Sequence, residues 1–524
     1  MAYFSANWLA LAADNYAEAM TTRLSLRLND GVDGAPSTLL DVTDDGYITL
    51  DCNPLTMARE YSYGVIQAQA WIVRVSNADL GLLDYDLHDC WCCIEGGFIA
   101  ADEWEILAQG RVTAVEWTAN ADVILSVISP SVDLLRWTLP RDIYFQADGW
   151  AGNIQTVSKA DGSSDYENDF DGDGIDEGVT VHTEANCRDE TFYVEFTASN
   201  TYKVIKEDDT EETGLSIAFS NNITSSISSA VCVTIISTGW DGGTFASGDR
   251  YVFYTAEGRS ATELTPVGMI RHLISTVSDL AAYDVQTGAE YGSIEYDSSA
   301  WQDAEDSTTN TTVDVEGFWQ RGTLISALIQ DAMVLVHASI FPVWTGQLGF
   351  WMLTTGDTVA VDLNGDPGYT QVEILAASRR RDMTDVVNKV EVNYLTLDGV
   401  EASVTSIEDD TILQRESKKI INTGWRVDDA VAESLATQYL IRFAEPRIVY
   451  DLETTLAGAA AEVGQGATVT DATIGAVGER IDAHQVAIDV MGNSAQITGY
   501  PDPVAADVYA RVGISDWDGA EVIL

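Results

Sequence analysis

Lysine is nearly missing from this 524-residue chain, with six residues at positions 159, 203, 206, 389, 418 and 419. All 27 basic side chains face 83 acidic ones, a formal net charge of −56. That balance excludes stable binding of a nucleic acid backbone, because phosphate contacts need clustered Lys and Arg. It also excludes docking on anionic lipid. It suits solubility, repulsion between copies and saline surroundings. Long apolar runs are lacking too: none approaches the ~18 residues of a membrane span. The opening "MAYFSANWLALAADNYAEAM" has an apolar patch without a basic leader, so no signal peptide is expected and synthesis in a cytosol is. Motifs for catalysis are missing as well. There is no phosphate-binding loop, no HExxH and no GxSxG, and the five histidines are dispersed. In a chain this acidic no carboxylate pair stands out as a glycosidase pair. The expectation is a protein that is not an enzyme.

Cysteine is scarce but clustered: three of six fall in "HDCWCC". His88, Cys90 and Cys92 share one face of an extended segment, yet their spacing matches no zinc motif. Buried free thiols are the expectation. The 14 tryptophans suit core packing in a large β protein better than a row of sugar-binding platforms.

What is present describes a folded, mainly β protein with a few helices (α+β), since 46% of residues are hydrophobic and 21% charged. The length calls for more than one core. "TRLSLRLND" alternates, with Leu24, Leu26 and Leu28 on one face. "GVIQAQAWIVRVS" and "GRVTAVEWTANADVILSVIS" add strands, so a small barrel or sandwich is expected over about the first 140 residues. Acidic, glycine-rich sequence follows, then "TFYVEFTAS", "GLSIAFS", "AVCVTIIS" and "GDRYVFYTA", which read as an inserted all-β domain. "TPVGMIRHLISTV" starts a helix, with Thr265 as N-cap and Pro266 at the first position. "GTLISALIQDAMV" is a second helix, and "LVHASIFPVWTGQLGFWML" a hairpin turning at Thr345 and Gly346. Residues 428–445 form a helix with Val431, Leu435, Tyr439 and Phe443 in one stripe. No repeat of solenoid period is present. The expected domains are 1–148, 149–264, 265–365 and 366–524.

The sharpest local motif is "DFDGDGIDE". Asp169, Asp171 and Asp173 stand at positions 1, 3 and 5, Gly174 at 6 and Glu177 at 9. Hard oxygen ligands on a tight glycine turn are the front half of a calcium loop. Position 12 is Thr180, so the usual bidentate glutamate is missing, and Asp161, Asp165 or Glu167 would have to complete the shell. Ca2+ is the one cofactor expected, as a staple between repelling carboxylates. A solvated acidic loop without an ion is the alternative.

From Pro266 onward the order of elements is informative. The two helices and the hairpin are followed by "DMTDVVNKVEVNYLTLDG", by "ESKKIINTGWRVDDAVAESLATQYLIRFAEPRIVYDLETTL", and by "VGQGATVTDATIG". This order resembles the tail hub family of bacteriophages, which includes contractile-phage baseplate hubs and the tail-tip hubs of siphophages and gene transfer agents. "GRVTAVEW" with "VILSVISPSVDLLRWTLPR" resembles that family's first barrel, and "STGWDGGTFASGDRYVFYTAE" an insertion of phage tail proteins. The resemblance covers roughly two thirds of the chain and leaves out the Asp169 loop.

The resemblance implies a structural virion protein, a homotrimer. Each subunit would carry two related hub-type β-barrel domains, the second using strands around 366–397 and 446–500. An inserted all-β domain and a helix and hairpin domain would complete it. The ring would join the sixfold tube end to a threefold tip and close the tube until DNA ejection. Implied partners are a distal tail protein, the tape measure protein and tail-tip or fibre proteins, with no membrane span. Arg379, Arg380 or Arg381 would then pair with carboxylates of a neighbouring domain or subunit, with at least one of the three facing solvent; a solvated basic loop is the alternative. A calcium-stabilised β-rich adhesin or carbohydrate-binding surface protein is the alternative.

Overall fold

The structure is a computed structural model. It describes residues 4–13, 20–30, 37–42, 49–52, 55–58, 64–76, 81–98, 101–119, 122–140, 143–145, 150–151, 155–158, 179–181, 188–235, 245–277, 280–311, 313, 315, 317–352, 359–365, 372–382, 384, 386–396, 399–407, 416–444, 446–489 and 492–501.

Alternation builds the N-terminal half. Leu24 and Leu26 are buried on the Thr21–Arg27 strand, as their spacing requires. That strand joins an antiparallel sheet in the order Leu39–Asp41, Thr21–Arg27, Trp91–Phe98, Glu103–Trp117, Asp122–Ile128, Ala70–Ser76, Thr49–Cys52. Every residue of Trp91–Phe98 is buried, so this strand lies between two covered faces. Cys90, Cys92 and Cys93 are therefore buried free thiols, and burial pushes Cys90 up to about 12. Helix Ala6–Ala13 covers part of the sheet, its Trp8 indole donating to the Gly96 carbonyl at 2.9 Å. The expected first barrel is thus an open seven-stranded sheet among the described residues, because its end strands, Leu39–Asp41 and Thr49–Cys52, do not pair.

The second barrel closes. Val359–Asn364, Val372–Asp382, Arg447–Thr455, Ser494–Pro501, Ala476–Asp489 and Gly466–Asp471 form a ring of six strands. The last pairs with Ala476–Asp489 and, in parallel, with the first. Its membership corrects the sequence reading twice. It begins before residue 366, and Lys389–Leu395 is not part of it. That strand lies between Glu401–Ile407 and Lys418–Arg426 in a separate sheet. Val390, Val392 and Tyr394 form its buried face, which helix Asp429–Phe443 covers, so it has no apolar face left for the barrel. Leu435, Tyr439 and Phe443 of that helix are buried, and Val431 is half-buried. The barrel also takes a strand from far away: Leu55–Ala58 pairs with Gln485–Ile488.

Two sheets make the insertion. One contains Trp150–Ala151, Gln155–Ser158, Glu190–Ala198, Thr201–Ile205, Glu211–Ser216 and Arg250–Ala256; the other contains Val179–Val181, Asn221–Thr224 and Val231–Ile235. Phe192, Phe196, Tyr202 and Phe253 of the first meet Ile223, Cys232 and Val233 of the second in a private core. A single unbroken core serves the rest of the described chain.

The helical segment follows its sequence signals. Thr265 caps helix Pro266–His272, its hydroxyl accepting from the Gly268 amide at 3.2 Å. The same oxygen accepts from the buried Asn310 amide at 2.8 Å. Helix Ile325–Leu335 leads into the hairpin of Ala338–Pro342 and Leu348–Met352. Gly346 there has φ +79°, a left-handed turn position suited to glycine. Replacing Thr265 by Ala removes the cap and one Asn310 contact, and should cost about 2 kcal/mol in chemical denaturation. Thr265→Ser should stay close to wild type.

Candidate functional site

The arginine triplet lies on the barrel strand Val372–Asp382, opposite Tyr450, Val449 and Ile448. Neighbouring residues on a strand face opposite ways, so Arg380 points away from Arg379 and Arg381. All three are exposed. The Arg379 guanidinium lies over the Tyr450 ring at 5.5 Å, with Nη1 3.6 Å from Glu479 Oε1. Tyr450 donates its hydroxyl to the same carboxylate. On the other face, Arg380 Nε donates to Asp451 Oδ2 at 3.1 Å and Nη1 lies 3.7 Å from Asp382 Oδ2. Hydrogen bonds from Thr384, with Arg447 and Arg380 adding, hold the Asp382 carboxyl below the usual carboxylate range. Arg381 has no carboxylate partner among the described residues.

Within the chain, Arg379 and Arg380 pair with carboxylates. All three carboxylates belong to the same barrel: Asp451 on the paired strand, Asp382 on the arginines' own strand and Glu479 on Ala476–Asp489, across the ring. Sequence reading missed these partners, since strand register is not visible in a run of letters. Asp169, Asp171, Asp173 and Glu177 lie outside the described residues. Among the described residues no cluster of His, Cys, Asp or Glu fits a metal ion.

A second cluster went unread in the sequence. Where the insertion joins the body, the Asp189 carboxylate accepts from Arg259, and His272 Nε2 lies 3.4 Å away. The Glu257 amide donates to Asp189 Oδ1 at 3.1 Å, and Arg188 Nη1 pairs with Glu257 at 2.8 Å. Phe145 seals the cluster, edge-on to His272 at 5.4 Å and 5.2 Å from the Arg259 guanidinium. Burial pushes the Asp189 carboxyl up, but the neighbouring His272 ring and the Arg259 charge overcome it and hold the group well below its usual range. The arrangement is a latch between the start of strand Glu190–Ala198, the segment that follows the leaving strand Arg250–Ala256, and helix Pro266–His272. It has no local signal because its members are scattered along the chain.

No family model matches the chain, and no curated protein matches it. Solved structures do. A tail protein from Neisseria meningitidis is 8% identical over 92% of this chain and 99% of that one, with a TM-score of 0.44. A prophage tail protein from Shewanella oneidensis is 9% identical over 92% and 99%, with a TM-score of 0.42. A prophage tail protein from Listeria monocytogenes is 8% identical over 94% and 98%, with a TM-score of 0.38. The chain is similar to tail proteins.

Asp189→Asn leaves Arg259 buried beside a neutral group and should cost about 3–5 kcal/mol at pH 7. The folded-state pKa is depressed, so the charged form stabilises fully above the unfolded value of about 3.9. This contribution is lost as pH falls through the lower folded value. Denaturation curves should therefore separate wild type from variant at neutral pH and converge in acid.

Proposed function

We propose that the chain is a structural protein of a phage-type tail, the tail-tip or baseplate hub. In this role it joins the sixfold tube end to a threefold tip and closes the tube until DNA ejection. The observation that carries the reading is the pairing of two β bodies on one continuous core: the seven-stranded sheet and the closed six-stranded barrel. A threefold ring needs two such bodies per subunit to meet six tube subunits, and it needs them held rigidly. The Leu55–Ala58 strand ties them by backbone hydrogen bonds. The insertion, with its own core, is free to vary without disturbing that frame.

The chemistry of the described residues suits structure better than catalysis. His272 sits in the latch, and His337 is buried, its pKa lowered to about 4 by burial and by Arg442. His484 is buried beside Asp482. Neither buried residue is placed to exchange protons with solvent. A lumen lined by so acidic a chain lets DNA pass without capture. Homotrimer formation, contacts with distal tail, tape measure and fibre proteins, and residence in the virion after synthesis in a host cytoplasm belong to the same proposal. So does Ca2+ at Asp169, Asp171, Asp173 and Glu177.

Light scattering of the purified chain in moderate salt tests the reading. A mass of three chains is the expected result, and a monomer both alone and with the tube-end partner would overturn it. Repeating the measurement with calcium and then with chelator tests the ion: trimer lost on chelation and kept in an Asp171→Asn/Asp173→Asn variant would separate calcium from that loop.

A further inference from the structure

From Leu375 onward the arginine strand is paired along one side only among the described residues. It runs antiparallel to Arg447–Thr455 from Ile374 to Asp382. On its other side Val359–Asn364 meets it at Val372 and Glu373 and ends. From Leu375 to Asp382 that second edge has no backbone partner among the described residues. In an antiparallel ladder alternate residues turn their N–H and C=O groups away from the partner strand. Among the described residues the barrel therefore carries a row of donors and acceptors without backbone partners, in which Leu375 is 50% exposed. A register shift between Ile374 and Ala376 interrupts its ladder with Arg447–Thr455, which resumes and runs to Asp382.

Charge decides what fits this edge. Arg380 is 54% exposed despite its carboxylate partners, and Arg381 has none among the described residues. Exposed edges are commonly guarded by charge against pairing with their own kind. Antiparallel pairing with the same edge of a second copy sets arginine against arginine. An acidic strand sets carboxylates against these arginines instead, beside Arg380 on one face and Arg379 and Arg381 on the other. We propose that the Leu375–Asp382 edge is a strand-addition site for an extended acidic segment of a partner polypeptide. Backbone hydrogen bonds hold the segment, and the arginines select it by charge. The site is independent of the tail reading, because it rests on the open edge and its charges alone.

The probe is a short labelled peptide of alternating aspartate and valine, titrated by fluorescence anisotropy against the full chain at low and moderate salt. Binding is expected to weaken about tenfold or more in the Arg380→Glu/Arg381→Glu variant, as charge pairs become repulsions. A lysine and valine peptide, which the net charge of −56 draws to the surface as a whole, should leave amide exchange of Leu375–Asp382 unchanged. Methylating alternate amides of the acidic peptide should abolish binding when the methyls lie on the edge that pairs. Amide hydrogen exchange of Leu375–Asp382 in wild type should slow when the unmethylated peptide is bound. No binding at low salt would overturn the proposal. So would unchanged affinity of both methylated peptides, which means adsorption by charge alone. Self-association of the chain by itself, abolished by the same double reversal, would assign the edge to a second copy instead.

Discussion

Everything in the body depends on one long strand. Ala476–Asp489 gives one edge to two partners in succession. Its first half pairs with Gly466–Asp471, which closes the barrel, and Gln485–Ile488 pairs with Leu55–Ala58. Its other edge pairs with Ser494–Pro501 from Ile481 to Asp489. Ile481, Ala483, Val486 and Ile488 are completely buried along it. Backbone groups buried without partners are costly, so neither ring nor junction can loosen without exposing the other. The two halves of the chain are thus joined by hydrogen bonds as well as by packing.

Electrostatics imposes the second constraint. Cations are few, and the described ones are placed with care. Arg23 binds Glu95, Arg74 binds Asp122, Arg111 bridges Asp89 and Asp133, and Arg271 bridges Glu295 and Glu305. Two of these, Arg23–Glu95 and Arg74–Asp122, join neighbouring strands of one sheet. Against that background an exposed Arg381 at an open edge differs in kind from its fellows.

Much of the fold was legible because its signals are local. The Thr265 cap, the turn at Gly346, the stripe on Asp429–Phe443 and the alternation at Leu24 and Leu26 each need only a few neighbouring residues. Barrel membership was harder. The parallel contacts of Val359–Asn364 and the distant Leu55–Ala58 strand are non-local, and Lys389–Leu395 has the same alternation whether it lies in a barrel or under a helix. The arginine triplet was visible as an oddity, while its partners and its open edge are products of register. The Asp189 latch was invisible, since aspartate, arginine and histidine are unremarkable until folding brings them together.

The insertion has a consequence of another kind. Its entering strand Trp150–Ala151 and its leaving strand Arg250–Ala256 lie side by side, paired at Trp150 and Ala256. Its core shares no residue with that of the body, and its base is fastened at the Asp189 latch. A lobe built in this way is a cassette. Recombination between related genes can exchange it whole, because both cut points fall at one place in space and only the latch residues must be kept.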